Sequence, residues 1–213
     1  MKTLLLVHNQ VGMGPQIFLG DAGATILRVV VFWTIFAAWV FGEVWLQLTH
    51  RLSADATRRD HGSMGLLIAS VWMALFLGIG IAALMPDTAV RTGRSELFLV
   101  GLAMMLAGMA VRWYAIATLG SAFTVTVGTR AAQRIVDSGP YRWVRHPAYA
   151  GSLITILGIL LCCTNFLSLM ALVVPIAGHA YRIRVEERTL VDDIGDPYRA
   201  YMRRTKRLVP LLL

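Results

Sequence analysis

Between two long apolar stretches of this 213-residue chain lies the string Gly139-Pro140-Tyr141-Arg142-Trp143-Val144-Arg145-His146-Pro147-Ala148-Tyr149. Cationic and aromatic groups at a membrane boundary are costly unless they hold something, so such a cluster points to a functional site. Proline suits the first helical turn, where its missing N–H would have had no acceptor. Pro147 therefore predicts a helix start with His146 near the N-cap and Tyr149 one turn in. The free amides and the dipole at that end favour an anionic group such as a ligand carboxylate. Gly151 would let a ligand or a neighbouring helix come close. The same string also reads as a basic membrane anchor with interfacial aromatics.

A second cluster is Tyr181-Arg182-Ile183-Arg184-Val185-Glu186-Glu187-Arg188. On a helix, Arg182 and Glu186 are four apart and share a face. In water such a pair is worth roughly a few tenths of a kcal/mol. At the exit of an apolar helix, where water is scarce, Arg182 can instead clamp a carboxylate through two parallel hydrogen bonds. Glu186 can orient that arginine or lie near a cationic centre. Asp192 and Asp193 fall further out and read as solvated.

Other chemistries are poorly served. Gly12-Met13-Gly14 resembles a phosphate loop, but Pro15 interrupts it and no βαβ context follows. His8, His50, His61, His146 and His179 share no ligand spacing, and Cys162 and Cys163 form no zinc arrangement, so no metal site is expected. The cysteines read as small apolar fillers, and His179 as a hydrogen-bonded core histidine.

The elements that must position these groups are membrane helices. The chain is 57% hydrophobic and only 15% charged, too apolar for an ordinary soluble domain. Ala24 to Leu48, Met64 to Met85 and Leu97 to Leu119 each approach the roughly 20 apolar residues that span a bilayer. Tyr149 to Tyr181 is too long for one span and carries Thr164-Asn165 in its middle. It predicts a tight hairpin of two short helices, Tyr149–Cys163 and Phe166–Tyr181. Arg182 to Ile194 contains no breaker and can continue that helix beyond the membrane. Gly195-Asp196-Pro197 should end it, with a short helix after it from Tyr198 to Thr205.

The expected fold is an all-α integral membrane protein of about five transmembrane helices. The last two form the hairpin, and a cytoplasmic C-terminal helical segment follows. Residues 1–111 would be scaffold, and residues 112–213 hold nearly all the polar chemistry of this single membrane domain. The net charge is +8. The arginines flank the spans, which places the loop before Tyr149 and the C-terminal tail on the cytoplasmic side. They form no soluble basic face, so no nucleic-acid partner is expected. Anionic membrane lipids are the better match for the basic tail. The N-terminal segment, too short in apolar run for a signal peptide, reads as interfacial.

These residues together resemble the isoprenylcysteine carboxyl methyltransferase family of integral-membrane methyltransferases. The similarity runs from about Arg112 to Leu208. It rests on Arg112-Trp113-Tyr114 with Leu119-Gly120, on Val136-Asp137-Ser138-Gly139-Pro140-Tyr141, and on Arg145-His146-Pro147-Ala148-Tyr149-Ala150-Gly151. It continues through Glu186-Glu187-Arg188-Thr189-Leu190, Gly195-Asp196-Pro197-Tyr198-Arg199-Ala200-Tyr201 and Arg204-Thr205-Lys206-Arg207-Leu208-Val209-Pro210. The combination in this order is specific, although each string alone is not.

The resemblance implies a multi-pass membrane enzyme that uses S-adenosylmethionine, with S-adenosylhomocysteine as product, in a pocket roofed by the C-terminal segment. Residues 112–213 would be the methyltransferase region. Gln133, Arg134, Ile135, Val136, Tyr141, His146, Pro147, Ala148 and Tyr149 would line the cofactor pocket, with Thr126 as a further polar contact. Arg182 and Glu186 would stand on the acceptor side, near the transferred methyl. A carboxylate acceptor needs no strong base, whereas an amine acceptor would make Glu186 the proton acceptor.

The short acidic run at Val185-Glu186-Glu187-Arg188 and the compact N-terminal half suggest a prokaryotic-type member in an inner membrane. They also suggest a small lipophilic acid that enters between helices in place of a prenylated protein. Phospholipid-type amine methylation is the alternative reaction. A non-enzymatic scaffold or transporter is the alternative class, disfavoured by the uncharged Met64–Met85 span.

Overall fold

The structure, a computed structural model, describes residues 22–49, 57–58, 62–120, 128–129 and 135–208, with side chains from residue 26 in the first helix. Six α-helices occupy these residues: α1 (Ala22–Thr49), α2 (Ser63–Leu84), α3 (Arg94–Leu119), α4 (Pro147–Cys162), α5 (Val173–Ile194) and α6 (Asp196–Arg204). Two dipeptides, β1 (Thr57–Arg58) and β2 (Gly128–Thr129), pair antiparallel and tie the α1–α2 connection to the α3–α4 connection. Phe123-Thr124-Val125-Thr126-Val127, whose alternation predicts an extended stretch at the membrane interface, lies outside the described residues.

Three helical stretches are long and apolar enough to cross a membrane: Ile26–Thr49, Ser63–Leu84 and Arg94–Leu119. Their outward faces carry Phe41 and Phe76, each 73% exposed, and Leu84, 83% exposed. Large apolar groups so displayed suit a hydrocarbon solvent. Helix α4 is apolar but has only 16 residues, about 24 Å at the usual helical rise, short of a bilayer's hydrocarbon thickness.

Helices α3 and α4 run antiparallel in backbone contact. A Cβ on Gly108 would lie 2.6 Å from the Gly151 carbonyl oxygen, and one on Gly158 would lie 2.6 Å from the Gly101 carbonyl oxygen. The two glycines on each helix are seven residues apart, two helical turns, so both contacts fall on one seam. Small residues at such a seam let membrane helices approach to backbone distance. Above it, Phe32 and Trp39 of α1 pack with Leu75, Phe98, Leu102, Met105 and Ile159 in the largest buried cluster.

The α4–α5 connection differs from the expected helix over Phe166–Tyr181. It opens with Thr164 at φ 48 and then a 3-10 helix, Leu167–Leu172. The cause is local: the Asn165 side-chain oxygen accepts the amides of Leu167 (3.0 Å) and Ser168 (3.2 Å), tightening the first turn. The turn is fastened to the α2–α3 connection by Val90 N–H to Thr164 O (2.9 Å) and Phe166 N–H to Thr88 O (3.2 Å).

Helix α5 then runs past Tyr181 to Ile194 without interruption, as the lack of a breaker predicts. It ends at Gly195, φ 74 and ψ −135, a backbone conformation that favours glycine. Helix α6 starts at the next residue, with Pro197 in its first turn.

Candidate active site

The site begins at the start of α4. A 3-10 turn, Gly139–Arg142, leads into Trp143 and Val144, and Pro147 opens the helix directly after His146. His146, Pro147 and Ala148 are buried, and Tyr149 is half-buried. His146 caps no amide with its side chain, so its ring is turned to other work. That ring stacks on Tyr149, with centroids 5.6 Å apart and 20° between planes.

The turn is held from behind by the segment after α6. Val144 and Lys206 form a parallel bridge. The amides of Arg145 and His146 donate to the carbonyls of Lys206 (2.7 Å) and Arg207 (3.0 Å), and Lys206 N–H donates to Trp143 O (2.9 Å). Arg145 adds Nη1 bonds to the carbonyls of Met202 and Thr205. Tyr201 donates its hydroxyl to the Tyr141 carbonyl, 2.8 Å. Residues 205–207 are thus a backbone strap across the His-Pro turn.

Helix α5 supplies the opposite wall. Arg182 is only 2% exposed. It donates Nε to the Tyr149 hydroxyl at 3.1 Å and Nη1 to Ser63 Oγ, at the start of α2, at 2.7 Å. Tyr149 in turn donates to Glu186 Oε2 at 2.8 Å. One phenol therefore joins Arg182 and Glu186. The sequence placed those two on one helix face but not the hydroxyl between them. His179, one turn before Arg182, donates Nδ1 to Pro175 O (2.7 Å) and meets Tyr149 edge-on. It is the hydrogen-bonded core histidine that the sequence suggests.

Glu187 is the residue that sequence reasoning passed over. It is 4% exposed and gathers three cationic or titratable groups: Arg145 Nε at 2.9 Å, His146 Nε2 at 3.3 Å and Arg207 Nε at 3.1 Å. Burial alone would raise its pKa. The hydrogen bonds and charges of His146 and Arg145 overcome that and hold the carboxyl at about 2, against an ordinary 4.5. Burial, followed by the charge of Glu186, pushes the phenols of Tyr141 and Tyr198 far above their ordinary range, so both stay neutral hydroxyls.

Of the other expected pocket residues, Ile135 and Val136 are half-buried just before the 3-10 turn, and Val136 packs beside Tyr141 and Ala148. Thr126, Gln133 and Arg134 lie outside the described residues. Among the described residues no cluster of His, Cys, Asp or Glu could hold a metal ion.

A cleft with a cavity volume of about 100 Å³ opens between α1 and α2, walled by Trp39, Val44, Leu67 and Trp72, and reaches Ser152 and His179. Its inner end therefore adjoins Tyr149.

Residues 100–192 match the sequence model of the isoprenylcysteine carboxyl methyltransferase (ICMT) family. The chain is 34% identical over 115 residues to protein-S-isoprenylcysteine O-methyltransferase B of Arabidopsis thaliana, covering 53% of this chain and 58% of that one. It is 30% identical over 167 residues to protein-S-isoprenylcysteine O-methyltransferase of Xenopus laevis, covering 76% of this chain and 55% of the relative. The solved structure of the eukaryotic intramembrane Ras methyltransferase isoprenylcysteine carboxyl methyltransferase superposes with a TM-score of 0.52. That alignment has 25% identity and covers 70% of this chain and 52% of that one.

The chain thus resembles the isoprenylcysteine carboxyl methyltransferase family over residues 100–192. It spans little more than half the length of the relatives just named. Those relatives are eukaryotic, so the prokaryotic-type assignment suggested by compact size is not borne out. The family match starts at residue 100, within α3, so α1 and α2 lie outside it.

Proposed function

We propose that this chain is a membrane methyltransferase that moves the methyl group of S-adenosylmethionine to a carboxylate on a lipophilic acceptor, giving a methyl ester. One observation carries the reading. The Tyr149 hydroxyl bonds both Arg182 and Glu186, so the His-Pro turn and the arginine–glutamate helix face each other across one small space. Two motifs more than thirty residues apart in sequence meet there with cationic, acidic and aromatic groups turned inward.

The donor set fits the cofactor. The start of α4 offers a positive dipole end for a carboxylate. The rings of His146 and Tyr149 and the Glu186 carboxylate suit a cationic centre. His146, Pro147, Ala148, Tyr149 and Tyr141 would hold it, with Ile135 and Val136 at the edge and Thr126, Gln133 and Arg134 from the preceding loop. When bound, S-adenosylmethionine supplies a methyl on a sulfonium centre, open to in-line attack by an oxygen nucleophile.

The chain's own residues then have simple tasks. Arg182, buried and aimed by Tyr149 and Ser63, holds the acceptor carboxylate. Glu186 keeps the Tyr149 hydroxyl directed and adds negative charge beside the donor. The carboxylate is already ionised, so no residue must remove a proton, and catalysis is chiefly alignment. Opposite charges cancel as methyl moves, which a dry site favours.

The relatives' names direct the acceptor toward an isoprenylcysteine carboxyl, in place of the small lipophilic acid that the sequence suggested. The cleft between α1 and α2 would admit the acceptor's apolar part from the bilayer. In this reading α4 and the apolar half of α5 complete five membrane passes. Residues 1–111 serve as scaffold and 112–213 as the methyltransferase region, and the strap lies on the cytoplasmic side, where Arg and Lys concentrate.

The test uses purified full-length protein in detergent, S-adenosylmethionine labelled in its methyl group, and an N-acetylated S-prenylcysteine as acceptor. Label should enter a base-labile ester, and His146→Ala and Tyr149→Ala should abolish cofactor binding. Arg182→Lys should lower kcat/KM for the acceptor by about 100-fold with much less effect on cofactor affinity, since lysine cannot form the two-bonded clamp. Cofactor binding that survives both His146→Ala and Tyr149→Ala would overturn the reading.

A further inference from the structure

A charged pair from the first helix reaches the His-Pro turn. Arg112 on α3 grips Glu43 on α1 with both sides of its fork, Nε to Oε1 at 2.5 Å and Nη2 to Oε2 at 2.7 Å. Its remaining nitrogen, Nη1, donates to the carbonyl of Ala148 in the first turn of α4, 3.2 Å away. The Arg112 backbone lies on the same helix, since a Cβ on Gly151 would come within 2.7 Å of its amide nitrogen. Leu46 of α1, Ala115 and Ile116 of α3, and Tyr141 and Ala148 pack on one another in one buried cluster, so α1, α3 and the first turn of α4 meet there.

The side chains of Arg112 and Glu43 are 13% and 24% exposed. An ion pair so removed from water gains little over well-packed apolar groups of the same size. As a simple brace between α1 and α3 it would be replaceable. An apolar pair, however, cannot aim an N–H at the Ala148 carbonyl, and only a carboxylate opposite the fork fixes the direction of Nη1. We propose that Glu43 is a positioning residue for the methyltransferase site. By holding the Arg112 guanidinium, it sets the first turn of α4, and with it His146 and Tyr149. The α1 helix thereby acts on the cofactor turn from outside the family-matched segment. This rests on the reading of that turn as the cofactor site.

The test compares the full-length protein with Glu43→Gln and with the double variant Glu43→Leu/Arg112→Leu. Melting temperature and S-adenosylmethionine affinity are both measured, the latter by calorimetry well below every melting point. Glu43→Gln should weaken cofactor affinity roughly 10- to 100-fold, the range seen when groups that orient a site are removed. The double leucine variant should regain stability as a brace while its affinity stays low.

Unchanged affinity in Glu43→Gln would overturn the proposal. So would a double variant that regains affinity together with stability, or one that regains neither, because the pair would then be a brace alone. A wild-type protein that does not bind S-adenosylmethionine would instead sink the methyltransferase reading itself.

Discussion

Glu187 shows how one carboxylate can organise a site without facing the reacting groups. It joins Arg145 and His146 on the turn to Arg207 on the strap, so three segments share one anion. Its folded pKa of about 2 lies below the ordinary 4.5. As pH falls from 4.5 toward 2, the unfolded chain takes up this proton first, and the stability contributed by the ion cluster drains away. Above 4.5 the contribution is complete.

That contribution is about 3 kcal/mol at neutral pH. Glu187→Gln should lose stability of that order at pH 6 and show a flatter acid limb between pH 4.5 and 2. Denaturant unfolding in detergent at both ends of that range measures it. An acid limb as steep as that of the wild type would assign the pH dependence to other carboxyls. In the sequence, Glu186 and Glu187 stand side by side, and only Glu186 is singled out, by its spacing from Arg182. Burial and partners, which depend on a turn forty residues away, separate the two glutamates.

The glycine seam between α3 and α4 sets the distance at which the turn meets its neighbours. Gly108 and Gly151 are in backbone contact, and Arg112, one turn beyond Gly108, reaches Ala148 only because of that closeness. Gly108→Val would force the helices apart and should cost about 2–4 kcal/mol, in the range of overpacked and disrupted cores. Melting in detergent would register the loss, and a wild-type melting temperature would mean that the seam relaxes freely.

The apolar runs made α1, α2 and α3 legible within a few residues, and the missing breaker after Tyr181 made the long α5 legible too. The 3-10 start after Asn165 was not, because a side-chain oxygen that accepts two amides is a matter of geometry and not of hydropathy. Nor was the Glu43–Arg112 fork. Each residue stands near the end of its own apolar run, where a single charge is ordinary, and only the packing of α1 on α3 pairs them.

At the level of the whole molecule, the catalytic reading depends on segments far apart in sequence closing on one turn. Ser63 from α2, Tyr149 from α4, Arg182 and Glu186 from α5, and the strap after α6 all converge there. The strap makes the sharpest global test. A chain ending at Arg204 removes the backbone acceptors of Arg145 and His146 and the Arg207 partner of Glu187, while every membrane helix stays intact. S-adenosylmethionine affinity should drop at least about tenfold with the protein still extracted and folded in detergent. Wild-type affinity in that truncation would show that the turn holds its shape unaided. The motifs around Pro147 and Arg182 were readable as chemistry because residue type and spacing carry them. Apart from the family resemblance, which implied a C-terminal roof, the strap was readable only as a basic tail, since its bonds run through backbone atoms that any sequence possesses.

The strap's place in the chain orders the birth of the site. Translation delivers α4 and α5 before residues 205–207, so a nascent chain can lodge its helices in the bilayer while the amides of Arg145 and His146 still lack their protein acceptors. The last backbone bonds form only after the ribosome has moved past Arg207. Until then the newborn protein carries the side chains of the proposed site on an unfinished hinge.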